Sequence, residues 1–299
     1  MDMLHITDLH KRFGDKKVLC GLNLFVPEHS IFGFIGKNGS GKTTTMKTIL
    51  GLLKADSGQI VINNEKVVYG QTSTNRYIGY LPDVPEFYSF MTAPEYLRFC
   101  GEITGMKKAE RANRCKELLE LVGLGDERHR IKGFSRGMKQ RLGIAQALMN
   151  RPKLLICDEP TSALDPVGRK EILDILLSVR EQTTVLLSTH ILSDVERICT
   201  DVAFLDNGVV GMQGKLSDIK AKYQGEEYQV ETKNAADRLI LQQAFPKMMQ
   251  ISRNQLAFYE SDHALFDILH FITDRRIALL KLERVEPTLE SLFMEVTWK

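Results

Sequence analysis

Eight residues, Gly36-Lys37-Asn38-Gly39-Ser40-Gly41-Lys42-Thr43, follow the spacing of a loop that grips a polyphosphate. Three glycines let the backbone turn tightly and point consecutive N–H groups at an anion. The apolar run Ser30 to Ile35 reads as a buried strand leading in, and Thr44 to Leu52 reads as a helix leading out. The positive end of that helix would add to the cradle. Lys42 suits contact with the β- and γ-phosphates, and the Thr43 hydroxyl suits Mg²⁺, with Thr44 completing the turn into the helix.

A second chemical element is Leu154-Leu155-Ile156-Cys157-Asp158-Glu159, an apolar strand ending in two carboxylates. Strands of open α/β sheets deliver such groups to the carboxyl edge, where ligands bind. Asp158 then fits the Mg²⁺ side of a nucleotide site, mostly through water. Glu159 fits the general base that polarises an attacking water.

The elements around these residues alternate. Helix Gly137 to Met149, strand Leu154 to Cys157, helix Gly168 to Arg180, strand Thr183 to Ser188, helix Leu192 to Thr200 and strand Val202 to Leu205 predict a mainly parallel sheet with helices on its faces. Shorter strands are expected at Leu4-His5-Ile6, Val18 to Val26, Gln59 to Asn63 and Ile78 to Leu81. Helical patterning from Thr92 to Val122 interrupts the alternation, giving a helical insertion over about residues 85–150. After a polar linker from Lys220 to Glu227, the order strand Tyr228–Thr232, helix Ala235–Phe245, strand Met248–Ser252, strand Leu256–Tyr259, helix His263–Arg275, strand Ile277–Leu282 predicts a ferredoxin-like β-α-β-β-α-β unit over residues 226–299. A last helix is expected from Thr288 to Val296.

Bulk properties narrow the class. The 299-residue chain has a net charge of +2, which argues against a protein built mainly to neutralise nucleic-acid phosphates. Its five cysteines are scattered without a C-x-x-C pair, which excludes a disulfide framework or zinc site and suits a reducing cytosol. The N-terminus carries charges throughout and lacks a signal-peptide core. No run approaches the about 20 apolar residues that span a bilayer. Work at a membrane would need another chain to do the spanning.

Taken together, these motifs resemble the ABC-type nucleotide-binding domain, over Met1 to about Lys220. Phe134-Ser135-Arg136-Gly137-Met138-Lys139-Gln140 stands where that family has its signature. Ser162-Ala163-Leu164-Asp165 matches its D-loop, Ser188-Thr189-His190 its switch histidine, and Phe13 its adenine-stacking aromatic. The resemblance implies a P-loop NTPase fold of ABC type that hydrolyses ATP with Mg²⁺. It implies that Ser135 and Gly137 of one chain close over the γ-phosphate held by a second copy turned head to tail. His190 would then contact that γ-phosphate. Asp83, in Tyr80-Leu81-Pro82-Asp83, replaces the family's metal-side glutamine, and Arg136 and Met138 replace the commoner glycine and glutamine.

The same resemblance implies that the helical insertion docks on membrane-spanning permease subunits, through the apolar cluster Phe87, Tyr88, Phe90 and Met91. It places the chain in the cytoplasm, peripheral on the inner face of the membrane. The signature style and the tail Val285 to Phe293 resemble ATPases of bacterial ABC-2-type exporters, including antibiotic self-protection systems. A soluble translation or repair ATPase and an importer ATPase stay open as alternatives. The single glycine loop and the lack of a heptad run weigh against the first.

Overall fold

The computed structural model describes residues 2–71, 73–222, 227–259, 265–285 and 289–290. The chain divides into two compact units, Met1–Leu216 and a second that begins at Ser217.

In the first unit, β1 (Asp2–Phe13) and β2 (Lys16–Pro27) form a long antiparallel hairpin. Then come β3 (Ile31–Gly36), α1 (Lys42–Ile49), β4 (Ser57–Ile62), β5 (Glu65–Lys66) and β6 (Ile78–Leu81). The helical insertion holds α2 (Ala93–Ile103), α3 (Lys108–Leu121) and α4 (Arg136–Ala147). The chain returns through β7 (Leu154–Asp158), α5 (Pro166–Val179), β8 (Thr184–Thr189), α6 (Leu192–Ile198), β9 (Asp201–Asp206) and β10 (Val209–Lys215).

Two sheets result. The larger has the order β10-β9-β3-β8-β7-β6, parallel except for β10, and the smaller is antiparallel with the order β2-β1-β4-β5. Every residue of β3, β7 and β8 is buried, as unbroken apolar strands covered on both faces must be. Because β8 lies between β3 and β7, the glycine loop, Asp158-Glu159 and Thr189-His190 all leave the same carboxyl edge from adjacent strands.

Local signals set the helix starts. Thr92 caps α2 in a reciprocal capping box with Glu95, Ser135 caps α4, and Asp165 caps α5 ahead of Pro166. The expected helical run Thr92 to Val122 is two helices, because the chain turns at Gly105 with a left-handed φ of 76°. Helix α5 starts two residues before the expected Gly168, since Asp165 supplies the cap. β1 is much longer than Leu4-His5-Ile6, because its outer half alternates poorly and pairs through bulges.

The second unit opens with α7 (Leu216–Lys222), so the expected polar linker begins inside a helix. It continues with β11 (Glu227–Thr232), α8 (Ala235–Ala244), β12 (Met249–Gln250), β13 (Gln255–Tyr259), α9 (Leu265–Asp274) and β14 (Leu279–Arg284). All pairs are antiparallel in the order β12-β13-β11-β14, the split β-α-β arrangement. Val230, Leu241, Leu256, Phe258 and Ile268 form its core. Strand β12 is only two residues of the expected Met248–Ser252. The expected helix Thr288 to Val296 lies outside the described residues apart from Leu289 and Glu290. Among the described residues, no helix is long and apolar enough to cross a membrane.

Candidate functional site

The loop after β3 is shaped by its glycines. Gly39 and Gly41 have φ of 83° and 113°, a region other residues enter at a cost. A Cβ on Gly36 would stand 2.5 Å from Ser40 Oγ and 2.7 Å from the Leu205 carbonyl. Gly41 caps α1 without a side-chain acceptor, so the helix end offers N–H groups to an anion. Ser40 is tucked beneath the loop and its buried Oγ has no hydrogen-bond partner among the described residues. Lys37 and Asn38 are exposed on its crest.

Lys42 is only 5% exposed. Its Nζ donates to the Gly36 carbonyl at 2.6 Å and the Lys37 carbonyl at 3.3 Å, and lies 3.2 Å from Glu159 Oε1. The ammonium is therefore held inside the loop.

Asp158, also buried, accepts from two hydroxyls: Thr43 Oγ1 at 2.9 Å onto Oδ2, and Ser188 Oγ at 2.6 Å onto Oδ1. Ser188 pairs with Asp158 across β7 and β8, and its hydroxyl also accepts from the Glu159 N–H at 3.1 Å. One serine thus orders both acids. Glu159 sits at a left-handed φ of 49°, which turns its carboxylate back across the sheet edge. His190 Nδ1 faces Glu159 Oε2 at 2.9 Å, and the imidazole is otherwise open. Burial, then the charge of Asp158, push the Tyr80 phenol up to about 12, so it stays neutral beside the acids.

Several of these groups line a cleft of about 500 Å³; His190, Ser188 and Tyr80 stand behind its acids and do not line it. Asn38, Gly39, Gly41, Lys42, Thr43 and Thr44 line one side, facing Asp83, Asp158 and Glu159. Lys16 and Val18 of β2 close it, and neither was anticipated; only their place on a hairpin beside the loop reveals them. Phe13 does not line the cleft. It is half exposed, opposite Lys16 in the hairpin, with Lys11 Nζ 5.2 Å from its ring centre. Thr43 Oγ1 and Asp158 offer oxygen donors that suit Mg²⁺. Among the described residues no three His, Cys, Asp or Glu gather to hold a metal unaided, so a cation here would need phosphate or water oxygens too.

Ser135 and Gly137 lie elsewhere. Ser135 Oγ accepts from the Met138 N–H at 3.2 Å, and both residues line a separate cleft of about 350 Å³ shared with Ala163, Leu164 and Asp165. The two clefts have no lining residue in common.

A glycine loop between strand and helix, with paired acids at the end of a strand one removed in the same sheet, defines a P-loop nucleotide-hydrolysing protein. Residues 19–162 match the family described as ABC transporter, and residues 214–297 match that described as ATP-binding protein DrrA1-3-like, C-terminal domain. The chain is 36% identical over 297 residues to the uncharacterized ABC transporter ATP-binding protein YxlF of Bacillus subtilis (strain 168), covering 98% of this chain and 99% of that protein. It is 40% identical over 238 residues to the bacitracin transport ATP-binding protein BcrA of Bacillus licheniformis, covering 78% and 77%. It is 30% identical over 305 residues to the linearmycin resistance ATP-binding protein LnrL of Bacillus subtilis (strain 168), covering 99% and 98%. Among solved structures, an ATP-binding subunit of an ABC transporter superposes with a TM-score of 0.66 at 34% identity, covering 74% of this chain and 93% of that one. The cassette MJ0796, in a dimeric post-hydrolysis state bound to ADP and Pi, superposes with 0.63 at 27%, covering 72% and 99%. The chain belongs to the ATP-binding proteins of ABC transporters, and its activity is ATP hydrolysis.

Proposed function

We propose that two copies of this chain close head to tail over MgATP, and that they energise an exporter through membrane-spanning permease subunits at the inner face of the membrane. The observation that carries the pairing is the separation of the two clefts. One chain holds a phosphate cleft and, apart from it, a capped helix end at Ser135 in a cleft that shares no lining residue with the first. A second copy supplies the γ-phosphate that this end would meet. MJ0796, described as dimeric with ADP and Pi, supports the same reading.

Within each cleft, Lys42 and the N–H groups from Gly36 to Thr44 hold the phosphates, and Phe13 stacks on the adenine from its exposed position. Thr43 and Asp158 would hold Mg²⁺, with Asp83 on the same side of the cleft; the cation would supply charge neutralisation on the phosphate oxygens. Glu159 accepts the proton of the attacking water, and His190 steadies the γ-phosphate while its Nδ1 stays with Glu159.

Export is supported by the relatives named for bacitracin transport and linearmycin resistance, since resistance is served by outward movement. Tyr88 and Phe90 are 51% and 63% exposed, an apolar surface suited to a partner's short helix, whereas Phe87 packs edge-on against Tyr96 at 5.1 Å. Glu159→Gln with ATP should run as a dimer on gel filtration and hydrolyse slowly. A persistent monomer would count against the pairing. Disrupting the gene should sensitise the host to bacitracin or linearmycin, with rescue by the wild type and not by Lys42→Ala; equal rescue by both would sink export by hydrolysis.

A further inference from the structure

Three acids line the phosphate cleft, and each has a different counterweight. Asp158 is held by two hydroxyls, and Glu159 by Lys42 and His190. Asp83 has Arg136: the Arg136 Nη2 lies 3.6 Å from Asp83 Oδ1, and it is the one cation within ion-pair distance of that carboxylate among the described residues. Oδ1 is sealed from solvent and accepts no hydrogen bond, so the charge contact is what it has.

The contact is part of a seat. Arg136, Gln140 and Gly143 follow one another at i, i+4 and i+7, a single stripe along α4. Gln140, 1% exposed, donates from Nε2 to the Asp83 carbonyl at 3.3 Å. At Gly143, a Cβ would stand 2.5 Å from Leu81 Cδ1 and 3.3 Å from Pro85 Cβ. The stripe therefore fixes the segment from Leu81 to Pro85 by packing at one end and charge at the other.

We propose that Arg136 is a positioning residue for the phosphate cleft of its own chain, holding and neutralising Asp83 so that this carboxylate does not repel an incoming polyphosphate. Arginine and aspartate then work as one unit, although they are far apart in sequence and neither is the residue usual at its place. The inference rests on reading the cleft as the nucleotide site, and does not depend on two copies pairing. It also gives the first turn of α4, next to Ser135, a direct link to the cleft in the same chain.

The test is calorimetric titration of ADP, with Mg²⁺ and in EDTA, on the full chain at low salt. ADP lacks the γ-phosphate that a partner's Ser135 would meet, so the reading is confined to one chain. Arg136→Gln should weaken ADP about threefold to fivefold, as an uncompensated, half-exposed charge would. The loss should be larger in EDTA and shrink in 0.5 M NaCl, following screening at roughly a few ångströms. Arg136→Lys should recover most of the affinity. In an Asp83→Asn background, Arg136→Gln should change nothing, because no charge remains to be neutralised. Arg197→Gln, which removes a cation paired with Asp174 at 3.0 Å, serves as the charge control and should match the wild type. Equal losses in both Asp83 backgrounds, or no loss in either, would overturn the proposal. Absence of ADP binding by the wild type would instead overturn the reading of the cleft itself.

Discussion

Ser188→Ala removes one oxygen and tests how the acids are held. In the folded chain that oxygen donates to Asp158 Oδ1 at 2.6 Å and accepts from the Glu159 N–H at 3.1 Å. The two losses are unequal. The Glu159 N–H keeps a second acceptor, the Ser188 carbonyl, also at 3.1 Å, so it is not orphaned. Asp158 is 4% exposed and keeps only the Thr43 hydroxyl, on its other oxygen. The cost is therefore that of one hydrogen bond to a buried charged acceptor, about 1.5–3 kcal/mol. For a unit of this size that corresponds to a fall in Tm of roughly 3–12 °C. If the misplaced carboxylate also loosens the proposed cation site, turnover should fall about tenfold for each 1.4 kcal/mol realised in the transition state. Differential scanning calorimetry and a phosphate-release assay read the two effects. Asp158→Asn provides the cross-check: with a neutral amide at that position, Ser188→Ala should cost much less, so the double mutant should be less than additive. A Tm within 1 °C of wild type, or full additivity, would refute the account of Ser188 as the orienting group.

Lys42→Ala should abolish measurable ATP turnover, since it deletes the buried ammonium at the loop; retained turnover would refute the assignment of the cleft. Gly79→Ala should destabilise by about 3 kcal/mol or more in urea unfolding, because its Cβ would lie 2.2 Å from the Ala147 carbonyl, a backbone atom that cannot step aside. Tyr88→Ser with Phe90→Ser should leave ATPase activity of the purified chain intact and release it from co-sedimenting membranes carrying its permease; unchanged sedimentation would reject that surface as the dock. Burial pushes the Cys157 and Cys199 thiols well above the ordinary range, so the folded chain carries less reactive thiolate there at pH 8 than the unfolded chain does. Both should resist maleimide until the protein unfolds, and prompt labelling under native conditions would show the sheet opening.

The legible parts of this protein were those where residue type and spacing leave one physical solution. Glycines at 36, 39 and 41 before Lys42-Thr43 demand a tight anion loop, and unbroken apolar runs at β3, β7 and β8 demand a doubly covered parallel sheet. The β-α-β-β-α-β order of the second unit was readable for the same reason: its alternation and turn positions fix which faces are buried. What stayed hidden needed strand order. Ser188 looks like any strand serine until β8 is known to lie beside β7 with Ser188 opposite Asp158. Lys16 and Val18 meet the loop only because the β1–β2 hairpin folds beside it. Arg136 and Asp83 looked like two unrelated departures, and their pairing follows from α4 packing on the segment after β6.

The arrangement of Lys42 suggests how such a site could keep hydrolysis tied to substrate. Lys42 lies 3.2 Å from Glu159, and His190 holds the other oxygen of the same carboxylate at 2.9 Å. The carboxylate is thus held from both sides, by an ion pair at Oε1 and by the imidazole at Oε2. On the proposed reading, phosphates entering the cleft compete with Glu159 for the Lys42 ammonium, which donates to the Gly36 and Lys37 carbonyls and meets Glu159 as an ion pair. Drawing the ammonium toward phosphate weakens its hold on Glu159 and leaves Oε1, which accepts no hydrogen bond among the described residues, open to an attacking water just when a γ-phosphate is present to be attacked. The same competition makes the pair costly to break without a phosphate, since both groups are largely buried. Substrate binding and base activation would then be one exchange of partners, with Ser188 and the turned backbone of Glu159 keeping the carboxylate in place while its partner changes.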